Sequence, residues 1–285
     1  MRHIHTIAVL FVAAGVASAC RPDEVIKTEA IPTAGVRFIN AVPDTGGAFG
    51  LDFRFVDIVE NNVQFRMTYR NGPSTTAGVT ASSLTQFRGA KAGSRHFRIF
   101  LDDTLQSVAT VVLKDTTVSL EAGKNYTALL MGEARLGTMR LSFFEDNAAD
   151  PGAQVSLRVI NTTNAAIDGR AYVTGGTAPA TATWASVPAY SVSSSVNFAP
   201  GSYKYNVRAA GSATNMFTDV TALAGANADL IVGLDPLPGT TQAGSALTLV
   251  VYPRSTAGSK TPQTSAFTVA AGVNMWDRRP PRVFP

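Results

Sequence analysis

Cysteine and histidine are scarce in this chain of 285 residues, which holds one cysteine and three histidines. With Cys20 as the single cysteine, an intramolecular disulfide is excluded. A zinc site built from cysteine and histidine is excluded too, because the chain cannot supply a tetrahedral set of such ligands. We therefore predict no metal site and no cofactor.

The motifs of common catalytic sites are also missing. The sequence contains no G-x-S-x-G, S-x-x-K or H-E-x-x-H motif and no glycine-rich phosphate loop followed by lysine. His3 and His5 lie in a predicted signal peptide, so His96 is the one histidine left as a catalytic base. Strand alternation places His96 on a wetted face, and we predict that the protein is not an enzyme.

Charge is low. Charged residues make up 15% of the chain, below the roughly 25% usual in soluble domains. The net charge of +4 is small for this length, and the lysines and arginines are scattered, whereas nucleic-acid binding usually relies on a concentrated basic stripe. No nucleic-acid partner is predicted. β-branched and turn-forming residues outnumber strong helix formers, which favours an all-β fold.

The N-terminus has the pattern of an export signal. Residues 1–19 carry Arg2, an apolar run from Ile7 to Val16 and then small residues, and the run is too short to span a bilayer. Cys20 follows directly and resembles the lipidated cysteine of a bacterial lipoprotein, although Ala17 stands where such boxes usually have leucine. An ordinary A-x-A cleavage site, with a free Cys20 thiol, remains open. Residues 20–33 are predicted to form the tether.

Four pairs of matching segments predict an internal duplication. They recur in the same order at offsets of 121, 108, 102 and 106 residues. The predicted domains are 34–147 and 153–253, and 254–285 is predicted to be a mostly irregular tail. The pairs are VRFIN 36–40 with LRVIN 157–161, AGSRHFRIF 92–100 with PGSYKYNVR 200–208, VSLEAGKNYTALL 118–130 with VTALAGANADLIV 220–232, and LSFFE 141–145 with LTLVV 247–251.

The repeated segments have the alternation of β-strands. In RHFRIFL, residues 95–101, Phe97 and Ile99 fall on one face and His96 and Arg98 on the other. Short strands of this kind, separated by turns, are typical of sandwiches. The predicted fold is all-β, with two tandem immunoglobulin-like antiparallel β-sandwich domains.

The segments VRFINAVPD, 36–44, and LEAGKNYTALLMG, 120–132, together with a Gly-Ser-aromatic strand, resemble the bacterial family called domain of unknown function 4397. The resemblance covers both copies, about 34–253. It implies an exported, β-rich protein, often a lipoprotein with tandem domains, and no established activity. Asn40 stands where the family often has histidine, and the second copy lacks the Pro-Asp that follows.

Aromatic residues and arginines concentrate in the segment 44–90. As a ligand surface they would suit a binding interface; as two core strands, the aromatics would point inward and the arginines outward. Both interpretations stay open at this stage. The candidate ligand residues are Phe49, Phe53, Arg54, Arg66, Tyr69 and Arg70.

The predicted function is a non-catalytic cell-envelope lipoprotein that acts in binding, adhesion or scaffolding. Its partners would be the membrane, through lipid on Cys20, and an unknown envelope protein or glycan. We expect an outer-membrane lipoprotein that faces the periplasm or the surface. The alternatives are a passive spacer and a carbohydrate-active hydrolase that uses loop carboxylates, for which the nearest cluster is Asp44, Asp52, Asp57 and Glu60.

Overall fold

The computed structural model describes residues 30–45, 50–58, 66–70, 87–229 and 235–282. Residues from Pro32 onward form one compact unit, and the prediction of an all-β fold is confirmed. Apart from one short helix, α1 (Gln106–Ala109), every regular element in these described ranges is a strand. In the first half these are β1 (Thr33–Ala41), β2 (Leu51–Phe55), β3 (Arg66–Met67), β4 (Arg88–Lys91), β5 (Gly93–Leu101), β6 (Val112–Leu120), β7 (Asn125–Met131) and β8 (Arg140–Glu145).

The second half continues in the same way. Its strands are β9 (Val155–Asn161), β10 (Ile167–Val173), β11 (Trp184–Val187), β12 (Ser191–Val192), β13 (Val196–Phe198), β14 (Tyr203–Ala209), β15 (Val220–Thr221), β16 (Ala246–Tyr252) and β17 (Ala271–Arg278).

Each half is a sandwich of two sheets. In the first sandwich, β1 to β8, the sheets have the orders β4-β1-β7-β8 and β3-β2-β5-β6. In the second, β9 to β17, the orders are β12-β9-β16-β17, with β13 also on β9, and β11-β10-β14-β15. These orders differ from the ABED and CFG sheets of an immunoglobulin constant domain, so the two-sheet architecture is as expected but the connectivity is different.

The two sandwiches share one pattern of strand pairing. β1 pairs in parallel with β7, and β9 in parallel with β16. Tyr126 lies opposite Val36 in the first pair, and Leu247 opposite Leu157 in the second. By position, β7 therefore corresponds to β16, and β8 to β17, each being the antiparallel neighbour of its partner.

The strand pairing shows which of the four sequence matches join structurally equivalent strands. The matches of β1 with β9 and of β5 with β14 join strands in equivalent positions. The match of 118–130 with 220–232 does so at its start, where it joins the end of β6 with β15, the antiparallel neighbours of β5 and β14; the equivalent of β7, however, is β16. The fourth match joins LSFFE in β8 with LTLVV in β16, which are not equivalent. Short apolar strands resemble one another in composition, and only their neighbours in the sheet distinguish them.

Burial follows the predicted alternation where a strand has one core face. In β5, Arg95, Phe97 and Ile99 are buried while His96 and Arg98 are only partly covered. In β16 every residue is buried, because this strand has a core on each side. One core fills the first sandwich, around Phe38, Phe53 and Phe97, and another fills the second, around Trp184 and Tyr205.

The C-terminal segment is more ordered than its composition suggests. Within the predicted irregular tail, 254–285, residues Ala271–Arg278 form β17 and pair along β16. Met275 and Asp277 of this strand are buried. The segment AGVNMWDR carries few β-branched residues, so its composition alone does not predict a strand. It forms one because its backbone pairs with that of β16.

Candidate functional site

The two sandwiches meet through the sheets that contain β1 and β9. A third hydrophobic cluster joins residues of both, including Ile39 and Leu129 from the first sandwich and Ile160, Val250 and Tyr252 from the second. The same strands thus carry a sandwich core on one face and the junction on the other. That double burial explains their near-continuous apolar sequences.

A buried cluster of four charged residues lies in this junction. Arg37 contacts Asp146 at 2.5 Å and Asp277 at 2.7 Å, and Arg158 contacts the same two carboxylates at 2.5 and 3.1 Å. The two aspartates and Arg37 have side chains no more than 1% exposed, and Arg158 is 13% exposed. Two positive charges therefore meet two negative charges away from water.

Two threonines complete the cluster in the same way on each side. The Nε of Arg37 donates to Thr127 Oγ1, which donates to Asp146. The Nε of Arg158 donates to Thr248 Oγ1, which donates to Asp277. Each arginine thus binds the threonine of its own sandwich and bridges the two aspartates, one from each sandwich. These contacts give the buried charged groups hydrogen-bond partners, and burying such groups without partners would cost free energy.

The cluster makes stability depend on pH. Burial opposes ionisation of Asp146, but Arg37 and Arg158 outweigh it and hold the pKa of this carboxyl below its ordinary value of 3.8. A depressed pKa in the folded state stabilises the fold above the unfolded-state value, and the stabilisation is lost as pH falls through the folded value.

We therefore expect the free energy of unfolding to fall once pH drops below about 4, the ordinary range of aspartate. Denaturant titrations of the wild type and Asp146→Asn between pH 7 and pH 2 would measure this loss. Asp146→Asn should be the less stable protein at pH 7, and the difference should narrow as the wild-type carboxyl becomes protonated. A difference that stays constant over this range would contradict the expectation.

Above this cluster, a cavity of 620 Å³ opens where the central strands end. Because β1 and β7 are parallel, and β9 and β16 are parallel, each pair brings its two carboxyl ends to one edge. The cavity is lined from all four of these ends. The lining residues are Pro43 after β1, Gly132 and Glu133 after β7, Thr162 and Asn164 after β9, and Pro253, Arg254, Ser255, Thr256 and Ala257 after β16, with Tyr190, Gln263 and Thr268.

Two buried asparagines hold the turns that follow β1 and β9. The Asn161 amide donates to the carbonyl oxygens of Ala165, Val187 and Pro188, and its Oδ1 accepts from the Thr163 N–H. Asn40, which is also fully buried, donates to the Met67 carbonyl and accepts from the Val42 N–H. These side chains replace backbone partners in the turns and position the cavity wall.

Arg70 holds the C-terminal wall of the cavity. Its guanidinium donates to the carbonyl oxygens of Pro253 at 2.6 Å and Ala266 at 2.7 Å, and also to those of Phe267 and Val269. Its backbone is left-handed, with φ at 59°, which costs energy for a residue other than glycine. The many carbonyl contacts compensate for that cost and tie residues 253–269 to the first sandwich.

The lining is polar, and two of its groups lack partners within the described part of the chain. The Ser255 side chain is 3% exposed, and its hydroxyl has no hydrogen bond there. Arg254, its neighbour, is exposed and makes no described ion pair or hydrogen bond. Tyr190 contributes a half-buried ring, and its backbone is left-handed, with φ at 57°. The Arg140 guanidinium lies 4.3 Å from the centroid of this ring. Strained backbone of this kind clusters at functional sites.

Three of the residues predicted from sequence as a ligand surface, Phe53, Tyr69 and Arg70, are engaged within the fold. Phe53 and Tyr69 are buried in hydrophobic clusters. Arg54 is exposed and pairs with Asp52 at 2.5 Å, and Arg70 is committed to the C-terminal wall. Arg66 lies in β3, and Phe49 lies outside the described residues. The core-strand interpretation therefore describes Phe53 better, because alternation in β2 turns its ring inward.

The carboxylates considered for hydrolysis are each engaged separately. Asp44 accepts hydrogen bonds from the backbone N–H groups of Ala134 and Arg135. Asp57 pairs with Arg95 at 2.9 Å, and Asp52 pairs with Arg54. His96 contacts Asp115 at 2.5 Å on an exposed face. Glu60 and Cys20 lie outside the described residues.

A more open groove of 720 Å³ runs between the edge strands β6 and β8. Its charged groups already have partners: Lys114 donates to the Met139 carbonyl, and Asp115 binds Arg98. Glu145 pairs with Lys124, and Arg140 lies against the Tyr190 ring. The cavity at the junction is therefore the stronger candidate site. Sequence analysis missed Arg254 and Ser255, since nothing in the local pattern of the tail marks them.

Within the described residues, no helix is long and apolar enough to cross a membrane. No group of three or more His, Cys, Asp or Glu side chains in the described ranges is placed to hold a metal ion.

No curated protein matches this chain. Among solved structures, the one described as "The Bacillus anthracis TIE protein" is similar at 10% sequence identity and a TM-score of 0.23. The alignment covers 79% of this chain and 34% of that one, so the chain spans about a third of its length.

Residues 34–168 match the family model "Domain of unknown function (DUF4397)". The match runs through the whole first sandwich and into β10, and it confirms the family resemblance there. The membership of the rest of the second sandwich stays a prediction. Over residues 34–168, the chain is similar to the DUF4397 family.

Proposed function

We propose that this protein is an exported, lipid-anchored module of the cell envelope that binds a ligand without chemically changing it. The site would be the cavity at the junction of the two sandwiches. The export signal and the lipid on Cys20 rest on the sequence pattern alone. Adhesion or scaffolding would follow if the bound ligand belongs to a larger envelope polymer or a neighbouring protein.

One observation carries the proposal: a cavity of 620 Å³ at the ends of four strands, lined by Arg254, which makes no ion pair or hydrogen bond with the described residues. A ligand in the cavity would give this arginine a partner. A passive spacer has no need of such a cavity. A hydrolase that uses loop carboxylates would need two acids that converge across a cleft, whereas Asp44 and Asp57 are each bound by a different partner.

The junction also suits a binding module, because it is rigid. Charged, hydrogen-bonded and apolar contacts fix one sandwich against the other, so the four strand ends keep a constant spacing. Pre-organised sites of this kind lose little entropy when a ligand binds. We further propose that the two sandwiches arose by duplication, supported by their common pairing pattern and by the paired positions Arg37 with Arg158 and Asn40 with Asn161.

The proposal is tested by blocking the cavity in the native cell. Asn164 is exposed on the cavity rim, so Asn164→Trp should fill the opening without disturbing the core. Thr104→Trp, at an exposed turn of the first sandwich, adds the same bulk elsewhere. We expect cross-linking of a tagged, full-length protein to capture the same envelope component from the wild type and Thr104→Trp, and at least tenfold less of it from Asn164→Trp.

Equal capture by all three proteins would refute the cavity as the binding site. Capture of nothing reproducible by the wild type would favour the passive spacer.

A further inference from the structure

The charge around the cavity is positive on balance. Arg254 makes no ion pair or hydrogen bond with the residues that the structure describes, and it lines both this cavity and an adjoining one of 210 Å³. Glu133 is the one acidic side chain of the cavity lining, and its carboxylate keeps its negative charge. Two further arginines lie beside the lining: Arg140 against Tyr190, and Arg135, which donates to the Gly258 carbonyl at 3.3 Å. Because three arginines outnumber one glutamate here, the local field favours an anion with few charges.

The neutral groups of the lining form hydrogen bonds in both directions. Asn164 has an amide at the exposed rim, and Gln263 uses its Nε2 on the Thr261 carbonyl, which leaves its oxygen as an acceptor. Such a set suits a ligand with several hydroxyl groups.

The size of the cavity excludes a simple ion as its natural occupant. Its 620 Å³ lies in the range of roughly 300–1,000 Å³ found for small-molecule sites. An inorganic anion would contact Arg254 and leave most of the polar lining unpaired. The ring of Tyr190 gives the lining an apolar surface as well, on which the carbon–hydrogen face of a sugar can pack.

We propose that the junction cavity binds an acidic sugar, with its carboxylate on Arg254 and its hydroxyl groups on Asn164 and Gln263. This inference rests on the proposed binding function and specifies its ligand class. The charge-assisted contact with Arg254 supplies discrimination against neutral sugars, because arginine pairs with a carboxylate through two parallel hydrogen bonds.

The test uses the purified full chain and matched probes: D-glucuronate, D-glucose and inorganic phosphate. Glucuronate and glucose share a ring and differ in the carboxylate, and phosphate supplies an anion without the ring. Titration followed by NMR should give a dissociation constant at least tenfold lower for glucuronate than for either other probe. Arg254→Gln should raise the glucuronate constant to that of glucose. Arg98→Gln, which removes an arginine from the outer sheet of the first sandwich, should leave it unchanged.

Three results would overturn the inference: equal binding of glucose and glucuronate, phosphate binding as strong as that of glucuronate, or no binding of any probe. An Arg254→Gln variant that binds glucuronate as the wild type does would also overturn it. These outcomes are separable from failure of the proposed function, which is judged by capture in the cell with Asn164→Trp. Loss of that capture together with equal sugar binding would keep the function and refute the ligand class.

Discussion

Replacing Arg37 with methionine is expected to lower the free energy of unfolding by about 3–5 kcal/mol, the cost of removing one partner from a buried ion pair. Methionine matches much of the arginine stem in volume, so packing changes little. The loss arises because Asp146 and Asp277 then share one cation, Arg158, in a site closed to water. Chemical denaturation of the full chain, followed by circular dichroism, measures it.

The matched control is Arg98→Met. Arg98 also pairs with an aspartate, Asp115 at 2.8 Å, but the two side chains are 36% and 46% exposed. Exposed pairs contribute only about 0–1 kcal/mol, so this variant should remain close to the wild type. Arg37→Lys keeps the charge but cannot make the same fork of hydrogen bonds, and it should fall between the two. Equal stabilities for Arg37→Met and Arg98→Met would show that the cluster is not closed to water.

Replacing Asn161 with alanine is expected to cost about 3 kcal/mol, because buried groups left without a partner cost about 1–3 kcal/mol each. The variant would strip a hydrogen bond from three carbonyl oxygens and from the Thr163 N–H. Water cannot replace the amide readily, since Asn161 is fully buried. Denaturant titration measures the loss, and hydrogen exchange at the Thr163 N–H should accelerate.

Asn147→Ala is the control for this prediction. Asn147 is also hydrogen-bonded, to Glu145 and to the Asn125 N–H, but those contacts are exposed. Water can take over there, so we expect a loss of less than about 1 kcal/mol. Asn161→Asp should be at least as unstable as Asn161→Ala near neutral pH, since it turns an ionised oxygen towards three carbonyls. An Asn161→Ala protein as stable as Asn147→Ala would refute the role assigned to the buried amide.

Alternation was enough to predict the strands of the first sandwich and the direction of their side chains. Phe97 and Ile99 lie on the buried face of β5, as expected. The same rule placed His96 on the wetted side, and it is partly exposed there. These features are local, because a strand with one core face repeats its burial every second residue.

The places of Phe53, Tyr69 and Arg70 in the fold could not be predicted from the sequence, for a related reason. A cluster of aromatic and arginine residues in sequence can describe either an exposed interface or a core strand with a polar edge. Phe53 and Tyr69 joined cores that are completed by strands far along the chain. The Arg70 guanidinium donates to carbonyl oxygens between Pro253 and Val269. The sequence around residue 70 does not indicate these distant partners.

By itself, the sequence determined that the protein is all-β, that its strands alternate between core and surface, and that residues 34–168 are similar to the DUF4397 family. Tertiary structure alone decided that β7 corresponds to β16, that β17 completes a sheet, and that Arg37 meets aspartates 109 and 240 residues away. It also brought four strand ends together around Arg254 and Ser255. The alternation of a strand depends only on neighbouring residues and can be recognised in the sequence. The partner of a buried charge and the wall of a cavity depend on which distant strands pack together.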